Sequence, residues 1–159
     1  MKQLLSVLIV FLLVMAAPTA FALDTSAHVT INNSGDPCQN PNVAKSTAIV
    51  SAPTASTSQV IALSAGKSIY ICDVSTGITG TTANATSFQL VSGTTTTTPC
   101  DTGQANVSGA YTVNSVAAGG YFHSGFGGTL YKTAAGKALC STNTGTNSAT
   151  VGSITYIQQ

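Results

Sequence analysis

Apolar and polar residues alternate over short stretches along most of the chain, and Gly, Pro, Asn and Ser separate these stretches. The stretch around which the chain is organised spans residues 65–74, A-G-K-S-I-Y-I-C-D-V, where a turn signal leads into a β-branched and aromatic run. A strand that is apolar on both faces is typical of the middle of a sheet with packing on each side. We therefore predict that this strand is central, with Ile69 and Ile71 on one face and Tyr70, Cys72 and Val74 on the other.

The remaining pattern predicts an all-β fold. No window of a dozen residues beyond the leader holds a 3.6-residue apolar period, and Gly and Pro interrupt every candidate helix. Short strands at roughly 8–12-residue spacing favour a single antiparallel β-sandwich or jelly-roll-like domain. We predict further strands at residues 45–52, 56–63, 86–91, 109–116, 121–126, 129–133, 137–141 and 149–157, and a first strand or docking arm at 23–31.

Turn chemistry predicts how neighbouring strands connect. The tight turn at residues 64–66 predicts an antiparallel hairpin between strands 56–63 and 65–74. Ala135-Gly136 predicts a second hairpin between 129–133 and 137–141. Two stretches are predicted as loops: residues 75–85, and 92–107, whose run of five threonines we expect to be part strand end and part exposed loop held by Cys100.

The N-terminus carries the features of a secretory signal peptide. Lys2 provides a short positive region, residues 4–17 form an apolar run, and Ala20-Phe21-Ala22 matches the small-x-small cleavage pattern. The run is shorter than a membrane span, so we expect cleavage and no stable membrane insertion afterwards. The predicted organisation is a signal peptide at 1–22, an N-terminal strand or arm and loop at 23–42, and a β-sandwich at 43–159.

Ionic side chains are scarce in the mature part. The whole chain holds five Lys and four Asp, with no Glu and no Arg, and Lys2 belongs to the leader. A near-neutral surface argues against electrostatic binding of nucleic acid. Net charge near zero favours self-association. We therefore expect solubility to depend on Ser, Thr, Asn, Gln and Gly.

Four cysteines follow the leader, and an even number in an exported chain indicates two disulfides. Three pairings are compatible with the sequence. A zinc site built from the same residues and the histidines is the alternative, but no C-x₂-C pair is present and export favours oxidation. The cysteines are Cys38, Cys72, Cys100 and Cys140.

Catalytic patterns are weak, and we predict that the protein is not an enzyme, with no catalytic residue, cofactor or metal. The two histidines are His28 and His123, and the latter adjoins Ser124, so the two side chains of that pair would point to opposite faces of a strand. Asp73 and Asp101 each follow a cysteine, which leaves open a carboxylate pair of the glycosidase type. We favour turn or strand-end carboxylates bonded to local N–H groups.

Tyrosines suggest a second kind of function. Exposed tyrosine rings can stack on sugars, although positions spread over several strands fit core and edge packing better. The five tyrosines are Tyr70, Tyr111, Tyr121, Tyr131 and Tyr156.

Several segments, in order, resemble a family. They are C-Q-N-P-N-V-A-K-S-T-A-I-V (38–50), V-I-A-L-S-A-G-K-S-I-Y-I-C-D-V (60–74), T-P-C-D-T-G-Q-A-N-V-S-G-A-Y (98–111), A-A-G-K-A-L-C-S-T-N (134–143) and V-G-S-I-T-Y-I-Q-Q at the C-terminus. The pattern is similar to small β-rich virion structural proteins of tailed phages and viral metagenomes. The resemblance implies capsid decoration or tail assembly, and the pairs Cys38–Cys72 and Cys100–Cys140.

Our leading hypothesis is a non-enzymatic structural or surface-display protein that acts through self-association or virion assembly. A signal peptide departs from what a virion part assembled in the cytoplasm needs. The chain is therefore either an exported cellular relative or the product of a virus that uses host export, and its expected location is secreted, periplasmic or in a virion. The alternative function is a secreted β-sandwich module that binds carbohydrate or another ligand.

The disulfide hypothesis has a direct test. The intact mass of the purified protein should rise by four hydrogens on reduction, because two disulfides each take up two. Non-reducing peptide mapping should recover peptides joined between Cys38 and Cys72 and between Cys100 and Cys140. Free thiols, or a peptide joining Cys72 to Cys100, would contradict it.

Overall fold

The computed structural model describes residues 35–80, 86–113, 119–125 and 127–159, all within the compact unit Asn33–Gln159. These residues form ten β-strands and no helix. The predicted leader and the predicted strand at 23–31 lie outside them. The strands are β1 (Ser46–Ala52), β2 (Ser56–Ile61), β3 (Ile69–Gly80), β4 (Thr86–Thr94), β5 (Thr102–Asn106), β6 (Tyr111–Val113), β7 (Gly120–Ser124), β8 (Tyr131–Lys132), β9 (Ala138–Asn143) and β10 (Ser148–Gln158).

The strands form two antiparallel sheets that pack face to face. The front sheet has the order β1-β10-β3-β7, and β8 pairs with the same edge of β3 as β7 does. The back sheet has the order β2-β9-β4-β5, and β6 pairs with β4 beyond β5. The sequence-based prediction of an all-β sandwich is confirmed.

The pairing order is that of a jelly roll. The pairs β1–β10, β2–β9, β3–β7 and β4–β5 make the chain one long antiparallel hairpin. That hairpin is wrapped so that β10 also pairs with β3, and β9 also pairs with β4. If β5 with β6 and β7 with β8 each count as one edge strand, the two sheets hold the eight strands of this fold.

The main core lies between the sheets and comes from alternating strand positions. From the back sheet, Phe88, Leu90 and Leu139 are fully buried. The sequence predicted that Phe88 and Leu90 face inward, and this is confirmed. From the front sheet the core takes Val50, Ile69, Ile71, Val74 and Ile154, all fully buried.

Strand β3 is central, as predicted, because it pairs with β10 on one side and with β7 and β8 on the other. The predicted face of Val74 is wrong. Ile71 pairs with Tyr156 and Asp73 pairs with Thr155, so Cys72 is an extra residue in a β-bulge. The extra residue resets the alternation, and Val74 therefore joins Ile69 and Ile71 in the core.

Both predicted hairpins are wrong. The turn near Gly66 forms, with the Lys67 N–H bonded to the Ser64 carbonyl at 3.1 Å, but it joins two sheets. Strand β2 pairs with β9, whereas β3 pairs with β10, β7 and β8. In the same way β8 pairs with β3, while β9 pairs with β2 and β4. Turn chemistry specifies where the chain reverses, whereas the pairing partner depends on residues distant in sequence.

Two predicted loops also contain strand. Residues 75–80 continue β3, because β10 and β7 hydrogen-bond along both its sides. Strand β4 extends to Thr94, and β5 occupies part of the predicted irregular stretch. The threonine run is part strand end and part exposed loop, as expected, since Thr94 ends β4 and residues 95–98 lie in the loop that follows.

Two disulfides anchor this framework, and their pairs are those the resemblance implied. Cys100 in the β4–β5 loop is joined to Cys140 in β9, and both residues are fully buried. A Cβ at Gly93 would lie 2.9 Å from the Cys100 carbonyl oxygen, so glycine is needed where this loop crosses β4. Cys38 is joined to Cys72 at the bulge, which fixes the loop before β1 over the outer side of β3. Two disulfides are typical of an oxidising, extracellular-type environment.

The two disulfides should differ in their effect on stability. Loss of Cys100–Cys140 in a double alanine variant should lower the free energy of unfolding by about 3–4 kcal/mol, because it frees a long loop inside the sandwich. Loss of Cys38–Cys72 should cost less, since its N-terminal partner precedes the first strand and can detach locally. Urea denaturation of both variants checks this. Equal losses would contradict it.

Candidate surface on the front sheet

The outer face of the front sheet carries three of the four large apolar side chains that are exposed among the described residues. Among the described residues, the large apolar side chains with high exposure are Tyr121 (74%), Ile49 (72%), Val151 (46%) and Leu63 (40%). The first three lie on this face, and Leu63 lies in the connection between β2 and β3. Three large apolar side chains of the described residues are therefore exposed on the same face of the sandwich.

Strand register places these side chains in adjacent rows. Val151 on β10 is opposite Gly77 on β3, which is opposite Tyr121 on β7. The neighbouring row runs from Ile49 through two serines to His123. Because paired residues in antiparallel strands share a face, the two rows lie side by side on the outer face, with Gly77 and the serines between the apolar side chains. We call this surface the apolar patch, defined by Ile49, Val151, Gly77 and Tyr121.

Hydroxyl groups surround the apolar patch, and the ionic groups lie to one side. Ser51, Ser75 and Ser153 lie within its rows. The next row holds Thr47, Thr155 and Asp73. Lys132 follows further along the same face, opposite Tyr70. The patch itself is therefore uncharged.

Tyr121, at the edge of the apolar patch, forms an aromatic pair with His123. They lie two residues apart on β7 and so share its outer face. Their ring centroids are 6.5 Å apart and their planes differ by 5°. The Tyr121 hydroxyl bonds the Ser75 hydroxyl at 2.6 Å, which ties the ring to β3.

A recess adjoins this pair at the bulge of β3. It has a volume of about 300 Å³ and is lined by Cys38, Lys45, Cys72, Asp73, His123, Gly125, Gly127 and Thr155. The bulge creates it, because Cys72 and Asp73 both lie on the outer side, where strict alternation would place only one of them.

Asp73 is incompletely bonded in this recess. His123 Nδ1 is 3.7 Å from Asp73 Oδ1, which is too long for a hydrogen bond. Within the described part of the chain Oδ1 has no hydrogen-bond partner, although it is shielded from solvent. A Cβ at Gly125 would collide with the same oxygen, so the carboxylate lies directly against the Gly125 backbone. The expectation that Asp73 bonds local N–H groups is therefore wrong for Oδ1, because at the bulge this oxygen lies against Gly125.

The prediction that Asp101 accepts hydrogen bonds from local N–H groups is confirmed. Its carboxylate accepts hydrogen bonds from the N–H groups of Thr96, Thr97 and Thr98 at 2.9, 2.9 and 3.0 Å, and from the Thr96 hydroxyl at 2.8 Å. These bonds, led by those from Thr98 and Thr97, hold the pKa of this carboxyl well below its usual range. Asp101 caps the threonine loop of the back sheet and Asp73 lies on the front sheet, so the two do not form a catalytic carboxylate pair.

The remaining sequence candidates are dispersed. His123 faces outward opposite Ser75, and Ser124 faces inward opposite Val74, as strand alternation predicted. His28 lies outside the described residues. All four cysteines are in disulfides. The described ranges contain no group of three or more His, Cys, Asp or Glu side chains placed to hold a metal ion.

The five tyrosines do not form a common platform. Tyr111 and Tyr131 bond each other through their hydroxyls, and Tyr111 packs on Phe122 with ring centroids 4.0 Å apart. The pKa of Tyr111 is raised to about 12, chiefly by burial and secondly by the hydrogen bond with the Tyr131 hydroxyl. Tyr156 packs on the main core. Tyr70 packs on the Cys38–Cys72 disulfide, with Lys132 Nζ 4.7 Å from its ring centre. Tyr121 is the exposed member of the five.

Comparisons with protein families, with curated proteins and with solved structures find no match to this chain. The part of the chain that the structure describes contains no helix with the length and apolar character needed to span a bilayer.

The Asp101 contacts predict an acid-dependent loss of stability. An unfolded Asp titrates near pH 4, at about 3.9, whereas folded Asp101 stays ionised to lower pH. Folding stability from this group is therefore complete above about pH 4 and falls as pH drops towards the folded pKa. Asp36, whose pKa is lowered chiefly by its hydrogen bond from the Thr129 hydroxyl, contributes in the same direction.

Urea midpoints measured from pH 2 to 7 check this. The Asp101→Asn variant should be less stable than wild type at pH 7, and the difference should shrink towards pH 2. Asn106→Ala, an uncharged change at an exposed β5 position, should follow a curve parallel to wild type. A pH-independent deficit in Asp101→Asn would contradict the prediction.

Proposed function

We propose that the protein is a non-enzymatic structural component, exported or virion-associated, that assembles through contacts between copies of its own chain. The contact surface in this proposal is the apolar patch on the front sheet. The observation that carries it is the alignment of Ile49, Val151 and Tyr121 on one exposed face.

The chemistry of the patch fits a protein–protein contact. Interface centres are depleted of charged residues and enriched in aromatic ones, and here Tyr121 lies among uncharged neighbours. The surrounding Ser and Thr hydroxyls provide a polar rim that can exchange water for hydrogen bonds with a partner. Gly77, between Val151 and Tyr121, presents no side chain at the centre of the patch.

A second copy of the chain suits this surface for an electrostatic reason. The mature part has equal numbers of Lys and Asp, so copies do not repel one another through net charge. A self-complementary patch related by two-fold symmetry is the commonest arrangement in homo-oligomers. Two such patches facing each other would bury Ile49, Val151 and Tyr121 of both copies.

The biological setting in this proposal comes from the sequence. The resemblance over residues 38–159 supports a virion part, whereas the predicted leader and the two disulfides support export. A virion part and an exported structural protein both need a stable domain that functions by binding other protein surfaces. Capsid and tail genes beside the coding gene would support the virion setting.

Self-association has a variant test with a matched control. Val151→Lys should weaken association at least 100-fold, because each lysine would face an apolar or like-charged surface of the other copy, a contact that costs several kcal/mol. Leu63→Lys makes the same change at an exposed apolar position outside the patch and should leave association unchanged. Sedimentation velocity across a concentration series measures both.

Two results would refute the assembly proposal. One is a wild-type protein that remains monomeric at about 1 mM. At that concentration even a weak dimer, with a binding free energy of about −4 kcal/mol, is substantially populated. The other is an equal loss of association in Val151→Lys and Leu63→Lys, which would show that the patch has no special role.

A further inference from the structure

We propose that the free edge of strand β1 pairs with β1 of a second copy of the chain, antiparallel and about a two-fold axis. The two front sheets then form one continuous sheet across both copies. We call this pairing the β1 seam, defined by Ser46–Ala52. It goes beyond the contact through the apolar patch, because it uses the backbone edge of the sheet rather than side chains on its outer face.

Strand β1 is an edge strand with one open side. Among the described residues it pairs with β10 alone, over seven consecutive positions. Every second residue of an edge strand directs its N–H and C=O groups away from the sheet, where another strand can pair with them. At the end of the strand the Ala52 carbonyl already accepts a hydrogen bond from the Asn143 side chain at 3.2 Å. The open part of the edge is therefore residues 46–51.

The other three sheet edges carry features that hinder pairing, and β1 lacks them. The register of β2 shifts between Gln59 and Ile61, and the pairing of β5 is also shifted, with Gly103 at φ of +58°. The far edge of the front sheet is divided between β7 and β8, which have five and two residues. By contrast, β1 has an unshifted register and contains neither proline nor a charged residue. A long, regular, uncharged edge is a template for another strand.

The sequence of β1 is complementary to a copy of itself. Its residues, S-T-A-I-V-S-A, have similar character in both directions from Ile49. When Ile49 lies opposite its own copy, Thr47 lies opposite Ser51. In the same register Ala48 lies opposite Val50. Opposite residues share a face, so hydroxyl groups meet on the outer face and apolar groups meet on the inner face. This match favours a second copy of the chain as the partner.

The ends and the centre of the seam are also compatible with this register. Lys45 would lie opposite Pro53, so the lysines of the two copies are roughly 27 Å apart at about 3.4 Å per residue. Pro53 has no N–H group and ends the pairing. At the centre, Ile49 is 72% exposed. Its side chain would contact that of the other copy, because opposite Cβ atoms lie about 4.5–5.5 Å apart.

The β1 seam should be weaker than the contact through the apolar patch. Hydrogen bonds between the two strands replace hydrogen bonds to water, so each adds little net free energy. The seam also buries few side chains besides Ile49. Sedimentation therefore measures mainly the contact through the patch, and a method that traps short-lived pairs is needed for the seam.

The test is oxidative cross-linking of variants that each carry one added cysteine. Thr47 and Ser51 are both exposed. A mixture of Thr47→Cys and Ser51→Cys should form a cross-linked dimer at least tenfold faster than either protein alone, because a disulfide needs Cα atoms within about 7 Å. In the proposed register two copies of position 47 are offset by about 14 Å along the strand. Peptide mapping should recover the joined positions.

Two controls separate the seam from random collision and from the apolar patch. Thr47→Cys mixed with Gln104→Cys, an exposed position on β5, should cross-link no faster than either alone. The experiment is then repeated with Tyr121→Lys added to both partners. Tyr121 is on β7, separated from β1 by β10 and β3, so the new charge disrupts the patch while leaving the seam intact. Cross-linking should persist, and its loss would assign the dimer to the patch and refute the seam.

Amide hydrogen exchange of the ¹⁵N-labelled wild-type protein provides an independent measurement. Alternate amides of β1 should exchange at least fivefold more slowly at about 1 mM than at about 0.05 mM, because hydrogen bonds across the seam protect them. The amides of β10, which is paired on both sides, should be protected at both concentrations.

Each of three further results would refute the β1 seam. The first is a mixture that cross-links no faster than the Gln104→Cys control. The second is Thr47→Cys that cross-links with itself as fast as with Ser51→Cys, which would show a different register. The third is protection of all β1 amides at the lower concentration, which would show that the edge is covered within one copy. None of these results bears on the apolar patch, which the sedimentation of Val151→Lys tests separately.

Discussion

The β-bulge at Cys72 is the constraint on which the front sheet depends. One extra residue in β3, relative to β10, turns Val74 into the core and leaves Cys72 and Asp73 together on the outer side. Cys72 can then bond Cys38 and hold the loop before β1 against Tyr70 and Ile157. A regular strand would have kept the alternation, and either the core or the disulfide would have lost its residue.

The jelly roll places this bulge where it can have such an effect. Strand β3 pairs along both sides, so its register is set by β10, β7 and β8 together. The back sheet has its own anchor, since Cys100–Cys140 fastens the β4–β5 loop to β9 while Asp101 bonds the threonine N–H groups. With so few charged side chains, the fold depends on apolar burial, hydroxyl and backbone hydrogen bonds and disulfides rather than on ion pairs.

The same scarcity of charge bears on function. The apolar patch and the recess lie side by side on the front sheet, one without ionic groups and the other with a single carboxylate and a single ammonium group. In the self-association that we propose, the contact would therefore be weakly electrostatic and would depend on apolar and hydroxyl groups. A surface with so few charges responds little to ionic strength, because salt screens only interactions between charges.

The sequence by itself determined the all-β class, most strand positions, the inward faces of Phe88 and Leu90, and the central place of β3. These follow from local alternation and turn residues. It could not determine the bulge, the strand partners or the recess, because Tyr156, Thr155 and His123 come within reach of β3 only through pairing across some fifty to eighty residues of chain. Only the tertiary structure brings His123 Nδ1 within 3.7 Å of Asp73 Oδ1, because no local sequence pattern specifies which distant strand pairs with β3.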